Sequence, residues 1–317
     1  MELIILFVKS ILYLFCFYIL WLASGKIIEM IEKIAKKIGF SSFALSFFVL
    51  GILTSIPEFS VGVNSLLKKT PDIFVGNLIG ASFYLFTLVI PLMAVFGGGV
   101  KMVHGLTYKD MIFALLVVLA PIFLIADNVL TRTEGVFLIL IYFILAYFIE
   151  KKRSLHLSLR DLSVHRVINA TQIIIEIFVL LGIIFVVSNF IVNQTIEYGK
   201  ILGVPLFVVS VVILAFGTNL PEISLAVRSI FLGKKEVALG DYLGSAAANT
   251  LIFGVLTLLN GARIHIENYS LRTLLINLFG LGVFYLFSQS KKEISKNEGK
   301  ILLLIAFLFI LLEVLFN

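Results

Sequence analysis

Apolar runs long enough to cross a bilayer follow one another along almost the whole chain, separated by short polar segments. Spanning a hydrocarbon core of about 30 Å takes roughly 20 predominantly apolar residues in a helix. Backbone in that medium must satisfy its own hydrogen bonds, so only helices and closed barrels cross it. A barrel strand alternates apolar and polar side chains over about 10 residues, whereas these runs are continuous. Composition excludes a soluble fold: 60% of the 317 residues are hydrophobic and 14% charged, with a mean hydropathy of +1.11. A soluble domain has about 45–50% apolar and about 25% charged residues. The chain therefore reads as an all-α membrane protein. The runs predict ten transmembrane helices, near 3–23, 41–67, 73–97, 108–127, 134–150, 169–190, 204–231, 236–259, 269–288 and 300–316. Residues 26–38, with Ile27, Ile28, Ile31, Ile34, Ala35 and Ile38 on one face, read as an amphipathic continuation of the first helix along the interface.

The formal charge of +6 sits in loops, so it is no sign of nucleic acid. The partners expected are the lipid bilayer and inorganic cations, and no obligate protein partner is implied. Lysine and arginine counted on alternate sides divide 17 to 7, with Arg228 inside a span. The positive-inside rule makes the richer side cytoplasmic, which puts both termini outside the cell membrane. Residues 151–168 form the longest loop, a cytoplasmic linker between halves 1–150 and 169–317. At the N-terminus Glu2 stands where a signal peptide carries its basic segment, and the apolar run is too long for one. Cys16 is the single cysteine, and His104, His156, His165 and His265 lack metal-ligand spacing. No disulfide, cofactor or enzyme chemistry is expected.

The chain also repeats itself. At an offset of 164 residues, Gly39 meets Gly203, Thr54 meets Thr218, Pro57 meets Pro221, Glu58 meets Glu222, Gly76 meets Gly240 and Gly80 meets Gly244. The 42 positions from 39 to 80 hold 12 such identities without a gap, and Ser24 also meets Ser188. Five predicted helices per half is an odd number, so the second half enters the membrane upside down. Inverted repeats are a mark of secondary transporters, whose substrate site lies near the midplane where the repeats meet.

Within the repeat, GILTSIPEFS (51–60) pairs with AFGTNLPEIS (215–224). Pro57 and Pro221 have no N–H and crowd the carbonyls four residues earlier, at Leu53 and Gly217. Both segments are therefore predicted to break, in helices 2 and 7. An unsatisfied carbonyl in the bilayer core costs several kcal/mol, and a cation is one natural partner. Glu58 and Glu222 follow the prolines, and an intramembrane carboxylate is by default a functional group. Thr54, Ser55, Thr218 and Asn219 add neutral oxygens. Hard cations such as Ca²⁺ take several oxygen ligands, so the two clusters together would make one oxygen-lined cage. A bland alternative has Ser55-x-x-Glu58 and Asn219-x-x-Glu222 merely capping the restarted helices. In the second motif pair, GNLIGAS (76–82) and GDYLGSA (240–246), the glycine spacing suits close helix packing. Ser245 and Asn249 could complete the cage. Asp241 reads either as a carboxylate near a helix start or as an ion relay.

With these motifs the chain resembles the calcium/cation antiporter superfamily, in its sodium/calcium exchanger branch. That family carries inverted repeats with a G-T-S-x-P-E-like segment followed by G-N-x-x-G-S; here they read L-T-S-I-P-E with G-N-L-I-G-A, and G-T-N-L-P-E with G-D-Y-L-G-S. The resemblance covers the whole chain. It implies that Glu58 and Glu222 are central carboxylates shared by Ca²⁺ and Na⁺, with Thr54 and Thr218 ligating through side chain or backbone. Carbonyls near Gly51 and Ala215 would help form Na⁺ sites, Ser245 would give a hydroxyl, and Asn249 falls where relatives carry an acid or an amide. The chain departs at Leu53, a motif glycine, at Asn219 and Ala81, both motif serines, and at Leu85, usually polar.

The expected function is antiport of Ca²⁺ against Na⁺ by alternating access. Its alternatives are coupling to H⁺, another divalent cation, or a degenerate relative that binds ions without transport. A channel would lack the coupling that paired acids provide, and an intramembrane protease would need a G-x-G-D or H-E-x-x-H motif that the chain does not have.

Overall fold

The computed structural model describes residues 2–38, 51–101, 108–154, 170–232, 235–266, 269–290 and 293–316. Helix α1 (Glu2–Ile38) runs unbroken through the segment expected to lie along the interface. Two short helices, α2 (Gly51–Thr54) and α3 (Ile56–Leu67), precede α4 (Pro71–Tyr84), a π-helical turn (Leu85–Val89) and α5 (Ile90–Gly97). Then come α6 (Tyr108–Leu124), α7 (Arg132–Ser154) and α8 (Ala170–Leu202). Helix α9 (Leu206–Val209), a second π-helical turn (Ser210–Leu214), α10 (Ala215–Thr218) and α11 (Leu220–Leu232) form another interrupted stretch. Helices α12 (Lys235–Asn260), α13 (Leu271–Gln289) and α14 (Lys296–Leu315) complete the chain. Four two-residue strands pair antiparallel in the loops, Val100 opposite Ile294 and Val129 opposite His265.

The ten predicted spans are corrected by this structure. Among the described residues, seven helices are long and apolar enough to cross a membrane, or eight if the bent pair Leu206–Thr218 and Leu220–Phe231 counts as one span. The difference lies in two of the runs. The run at 41–67 is described only from Gly51, where it forms two short helices, and residues 41–50 lie outside the described residues. The run at 300–316 belongs to α14, whose 20 residues carry Lys296, Glu298, Lys300 and Glu313. Opposite orientation of the halves was inferred from five spans in each, so that inference loses its footing, and two inverted five-helix repeats are not established. Most of the expected linker, residues 155–168, lies outside the described residues, as do His104, His156 and His165.

Burial sorts the helices into inner and outer ones. In an 18-residue stretch of each span, 83% of the residues are buried within Pro71–Gly97 and 78% within Leu239–Asn260, against 22% within Leu6–Ile27. A helix apolar all round is stable only among other helices or in lipid, and α4 and α12 take the first place. Proline effects are repaired locally. Pro121 leaves the Val117 carbonyl in α6 without its helical N–H, and the Thr250 hydroxyl of α12 donates to it at 3.1 Å.

Helices α1 and α8 lie antiparallel, joined by Lys9–Glu197 at 2.6 Å and by Lys26–Glu176 at 2.5 Å. Between these ties, the Tyr13 and Thr195 hydroxyls share a hydrogen bond of 2.9 Å over a seam of Leu20, Ile27, Ile184 and Ile191. Helix α8 also reaches α3, where Asn189 Nδ2 donates to Asn64 Oδ1 at 2.9 Å. Phe17 of α1 lies on Gly217 of α10, which has no side chain to obstruct the ring.

At the end of the chain, Arg272 clamps α13 to α14. Its guanidinium lies 3.7 Å from the fully buried Glu313, donates to the Phe316 carbonyl at 3.3 Å and sits over the Phe316 ring. Thr273 Oγ1 donates to the same carboxylate at 2.7 Å. Arg272→Met should destabilise the protein by about 2 kcal/mol, below the about 3–5 kcal/mol of a fully buried pair, because the arginine is part-exposed. Thermal unfolding in detergent measures this, and adding Glu313→Gln should recover most of the loss. An unchanged melting temperature in Arg272→Met would mean the clamp contributes nothing.

Candidate cation site

The two Thr-x-x-Pro-Glu segments break alike. Helix α2 ends at Thr54 and α3 restarts at Ile56, while α10 ends at Thr218 and α11 restarts at Leu220. The interruptions, Ser55 and Asn219, are 164 residues apart, and the second bends its stretch by 41°. Both break just before the proline, whose missing N–H and ring prevent an α-helix from continuing through it.

Neither glutamate reaches solvent: Glu58 is 1% exposed and Glu222 0%. They stand near enough for their charges to act on each other. Ser245 of α12 donates to Glu222 Oε1 at 3.1 Å, and its hydroxyl is 3.1 Å from that of Ser55. Ser55 also lies 2.9 Å from the Gly51 carbonyl. With Ser245 donating to Glu222, the single Ser55 proton goes either to that carbonyl or to Ser245. Thr218 lies beside Glu58 and Thr54 beside Glu222, so each threonine serves the glutamate of the other segment. The Oε2 atoms of both glutamates have no hydrogen-bond partner, and among the described residues neither carboxylate is paired with a lysine or arginine. The simple capping reading fails at Ser55, whose side chain makes no cap hydrogen bond to α3.

Glycines bring the backbones together. A Cβ on Gly51 would stand 2.7 Å from the Ser245 nitrogen, and one on Gly80 would stand 2.5 Å from the Val211 carbonyl oxygen and 2.7 Å from Ala215 Cβ. Gly51 and Ala215 are repeat mates, as are Gly80 and Gly244, so the same close approach occurs in both halves with roles exchanged. The remaining candidates serve local needs. Asn219 Nδ2 donates to the Ala215 carbonyl at 2.7 Å. Asn249 Nδ2 donates to Ser82 Oγ at 3.2 Å. Its Oδ1 has no partner, and a void of about 10 Å³ opens between Asn249, Thr250 and Ser82, about the space one water needs.

Three residues that the motif reading had not placed in the cage also join this region. Asn77 accepts from the Thr218 hydroxyl at 3.2 Å. The Tyr242 hydroxyl donates to the Glu222 backbone carbonyl at 3.1 Å. Asp241 is 0% exposed and is the seventh residue of α12, beyond the first turn where a helix N-terminus favours a carboxylate. The helix-start reading of Asp241 is thereby corrected. The signal for Asn77 and Asp241 was their shared offset of 164 residues. Among the described residues no group of three or more His, Cys, Asp or Glu gathers in the manner of a resident metal site. The polar lining is dominated by hydroxyls and amides around two carboxylates.

The family described as sodium/calcium exchanger protein matches this chain over residues 9–150 and 173–315. The chain belongs to the sodium/calcium exchanger family. It is thus a member of a family of multi-pass transporters and not of enzymes. It is 22% identical to the sodium/calcium exchanger MaX1 of Methanosarcina acetivorans, over 91% of this chain and 94% of that protein. It is 20% identical to the inner membrane protein YrbG of Escherichia coli, over 82% of this chain and 83% of the relative. Among solved structures, the sodium-calcium exchanger NCX_Mj soaked with 2.5 mM Na⁺ and 10 mM Sr²⁺ superposes with a TM-score of 0.68. That match has 21% identity and covers 96% of this chain and 98% of the other, so the fold is shared.

Proposed function

We propose that this exchanger-family member is a secondary active antiporter that exchanges Ca²⁺ for Na⁺ by alternating access, with Glu58 and Glu222 as the carboxylates that hold the transported ions. The observation that carries the reading is the pair of fully buried glutamates, within range of each other's charge on two broken helices and with no basic partner among the described residues. Two negative charges away from water are strongly unfavourable without a counter-charge. Oxygens from Thr54, Thr218, Ser55 and Ser245 stand around them, the donor set that a hard cation takes. Gly51, Ala215 and Asn219 supply carbonyl or amide oxygens at the breaks, and Asn249 extends the polar face along α12. One carboxylate pair holds either Ca²⁺ or its counter-ions, and this exclusion couples the two fluxes. Ca²⁺ and Na⁺ are cargo, and the reading needs no cofactor or protein partner.

Coupling to H⁺ is the second reading. It is favoured by Ala81 and Leu85, both fully buried, where the other half has Ser245 and Asn249; the first half therefore offers fewer oxygens to a second metal cation. A cell-membrane location, with halves 1–150 and 169–317 joined by the linker 151–168, completes the proposal. Uptake of ⁴⁵Ca²⁺ into proteoliposomes preloaded with Na⁺ tests the proposal. Uptake should require the Na⁺ gradient. Uptake driven only by a pH gradient would transfer the coupling to H⁺, and uptake under neither gradient would overturn Ca²⁺ antiport.

A further inference from the structure

We propose that Asn77 is a positioning residue of the cation site: it draws off the Thr218 hydroxyl proton, so that the lone pairs of that oxygen face the cation held by Glu58 and Glu222; this rests on the exchange reading above. A threonine hydroxyl has one proton and two lone pairs. It serves a hard cation only through a lone pair, and a proton aimed the same way would repel the ion. Where the Thr218 proton goes therefore decides whether Thr218 is a ligand.

Three acceptors compete for that proton. The Asn77 side-chain oxygen lies 3.2 Å from the hydroxyl and the Ala215 carbonyl 3.4 Å. Ala215 already accepts from the Asn219 side-chain amide at 2.7 Å and from the Asn219 backbone N–H at 3.3 Å, which fills the two lone pairs of a carbonyl oxygen. The third acceptor is the Glu58 carboxylate beside Thr218. A proton shared with Glu58 would lie between two oxygens that have to converge on the ion, and Asn77 takes it elsewhere. Asn77 is 0% exposed and its Nδ2 has no partner. Among the described residues the Thr218 hydroxyl is the one hydrogen-bond partner of its side chain. Leaving a buried donor unsatisfied costs about 1–3 kcal/mol, which a leucine of similar size would avoid, so the amide is retained for its oxygen. Being neutral, it accepts the proton without adding charge to the site. Its neighbour Gly76 fixes the distance: a Cβ there would stand 2.5 Å from the Phe207 carbonyl oxygen, so α4 lies close against the stretch that leads to the second break.

Asn77→Leu removes the acceptor at nearly constant volume. Equilibrium dialysis of the purified protein with ⁴⁵Ca²⁺ should show about 10-fold weaker binding, the size of one hydrogen bond lost in a charged site. In Na⁺-driven uptake the Ca²⁺ concentration for half-maximal rate should rise equally, with the maximal rate little changed. Asn77→Asp keeps an acceptor oxygen in place and should bind Ca²⁺ at least as tightly as the wild type. The deciding comparison is with Thr218→Val, which removes the hydroxyl and its proton together. In that background Asn77→Leu should weaken binding no further, whereas a residue that merely supports the fold would weaken it in both. Unchanged affinity in Asn77→Leu, an equal loss in Asn77→Asp, or losses that add with Thr218→Val each overturn the inference. Where thermal unfolding shows Asn77→Leu misfolded, Asn77→Ala takes its place in the comparison. Binding of ⁴⁵Ca²⁺ without Na⁺-driven exchange in the wild type would sink the antiport reading instead, leaving the same comparison to decide the role of Asn77.

Discussion

Glu222→Gln should lower Na⁺-driven ⁴⁵Ca²⁺ uptake at least about 100-fold while leaving the protein folded. Two unit charges about 4 Å apart interact by about 4 kcal/mol at an effective dielectric constant near 20, and each 1.4 kcal/mol is tenfold. Ca²⁺ feels each carboxylate with twice that charge. Even when half of the gain is offset by desolvation, more than about 2.7 kcal/mol is lost, the equivalent of about 100-fold. Glutamine retains an oxygen to accept the Ser245 hydroxyl, so the substitution removes charge and preserves packing. Glu58→Gln should behave the same way, and the double variant should transport no less than either single one, since a cation deprived of one carboxylate is already lost. Initial uptake rates, with thermal unfolding as the check on folding, are the measurement. Wild-type rates in Glu222→Gln would remove that carboxylate from the transport cycle.

Gly51→Ala should be the most damaging of the small substitutions. Its methyl group would meet the Gly244 and Ser245 backbone, which has no flexible side chain to move aside. Overpacking a tight contact costs typically about 1–3 kcal/mol, and backbone against backbone lies at the upper end. For a chain of this size that corresponds to a fall of roughly 5 °C in melting temperature. Exchange should fall further than stability, because separating α2 from α12 pulls Ser55 away from Ser245. Gly80→Ala should cost a similar amount through Val211 and Ala215. Gly25→Ala and Gly182→Ala, whose added methyl groups meet nothing within 4 Å, are the controls. They should be neutral or stabilising by up to about 1 kcal/mol, since alanine is the better helix former. Equal melting temperatures for Gly51→Ala and Gly25→Ala would show that the close approach carries no energetic weight.

The contrast between these glycines was partly legible from residue order. Gly76, Gly80 and Gly244 stood out by spacing, and the structure places the first two against Phe207 and Val211 and the third against Gly51. The breaks were legible too, because a proline inside an apolar run has one geometric outcome. Span number was not. Hydropathy summed along α14 sees leucines and isoleucines, while Lys296, Glu298, Lys300 and Glu313 divide the helix between membrane and capping duties; Ser295 and Glu298 form a capping box at its start. Nor was the direction of Asn249 legible. An amide one turn beyond Ser245 shares its face, but which neighbour it takes depends on the helix opposite, and that helix presents Ser82. Asp241 was misread for a related reason. A carboxylate among small residues resembles a helix start until the preceding turn, which begins at Lys235, is known.

The double tie between α1 and α8 has a mechanical consequence. Lys9 and Lys26 are 17 residues apart in one helix, about 25 Å along its axis, and both are fastened to the same partner. Exposed ion pairs contribute only about 0–1 kcal/mol each, so their effect lies in where they act, at opposite ends of a packed seam. Together with the packed seam between them, the two ties favour movement of α1 and α8 as a unit over scissoring. Phe17 of this unit presses on Gly217 at the second break, and Asn189 grips Asn64 on the helix that carries Glu58. A displacement of the pair as a unit would therefore reach both breaks at once, like one handle working two latches.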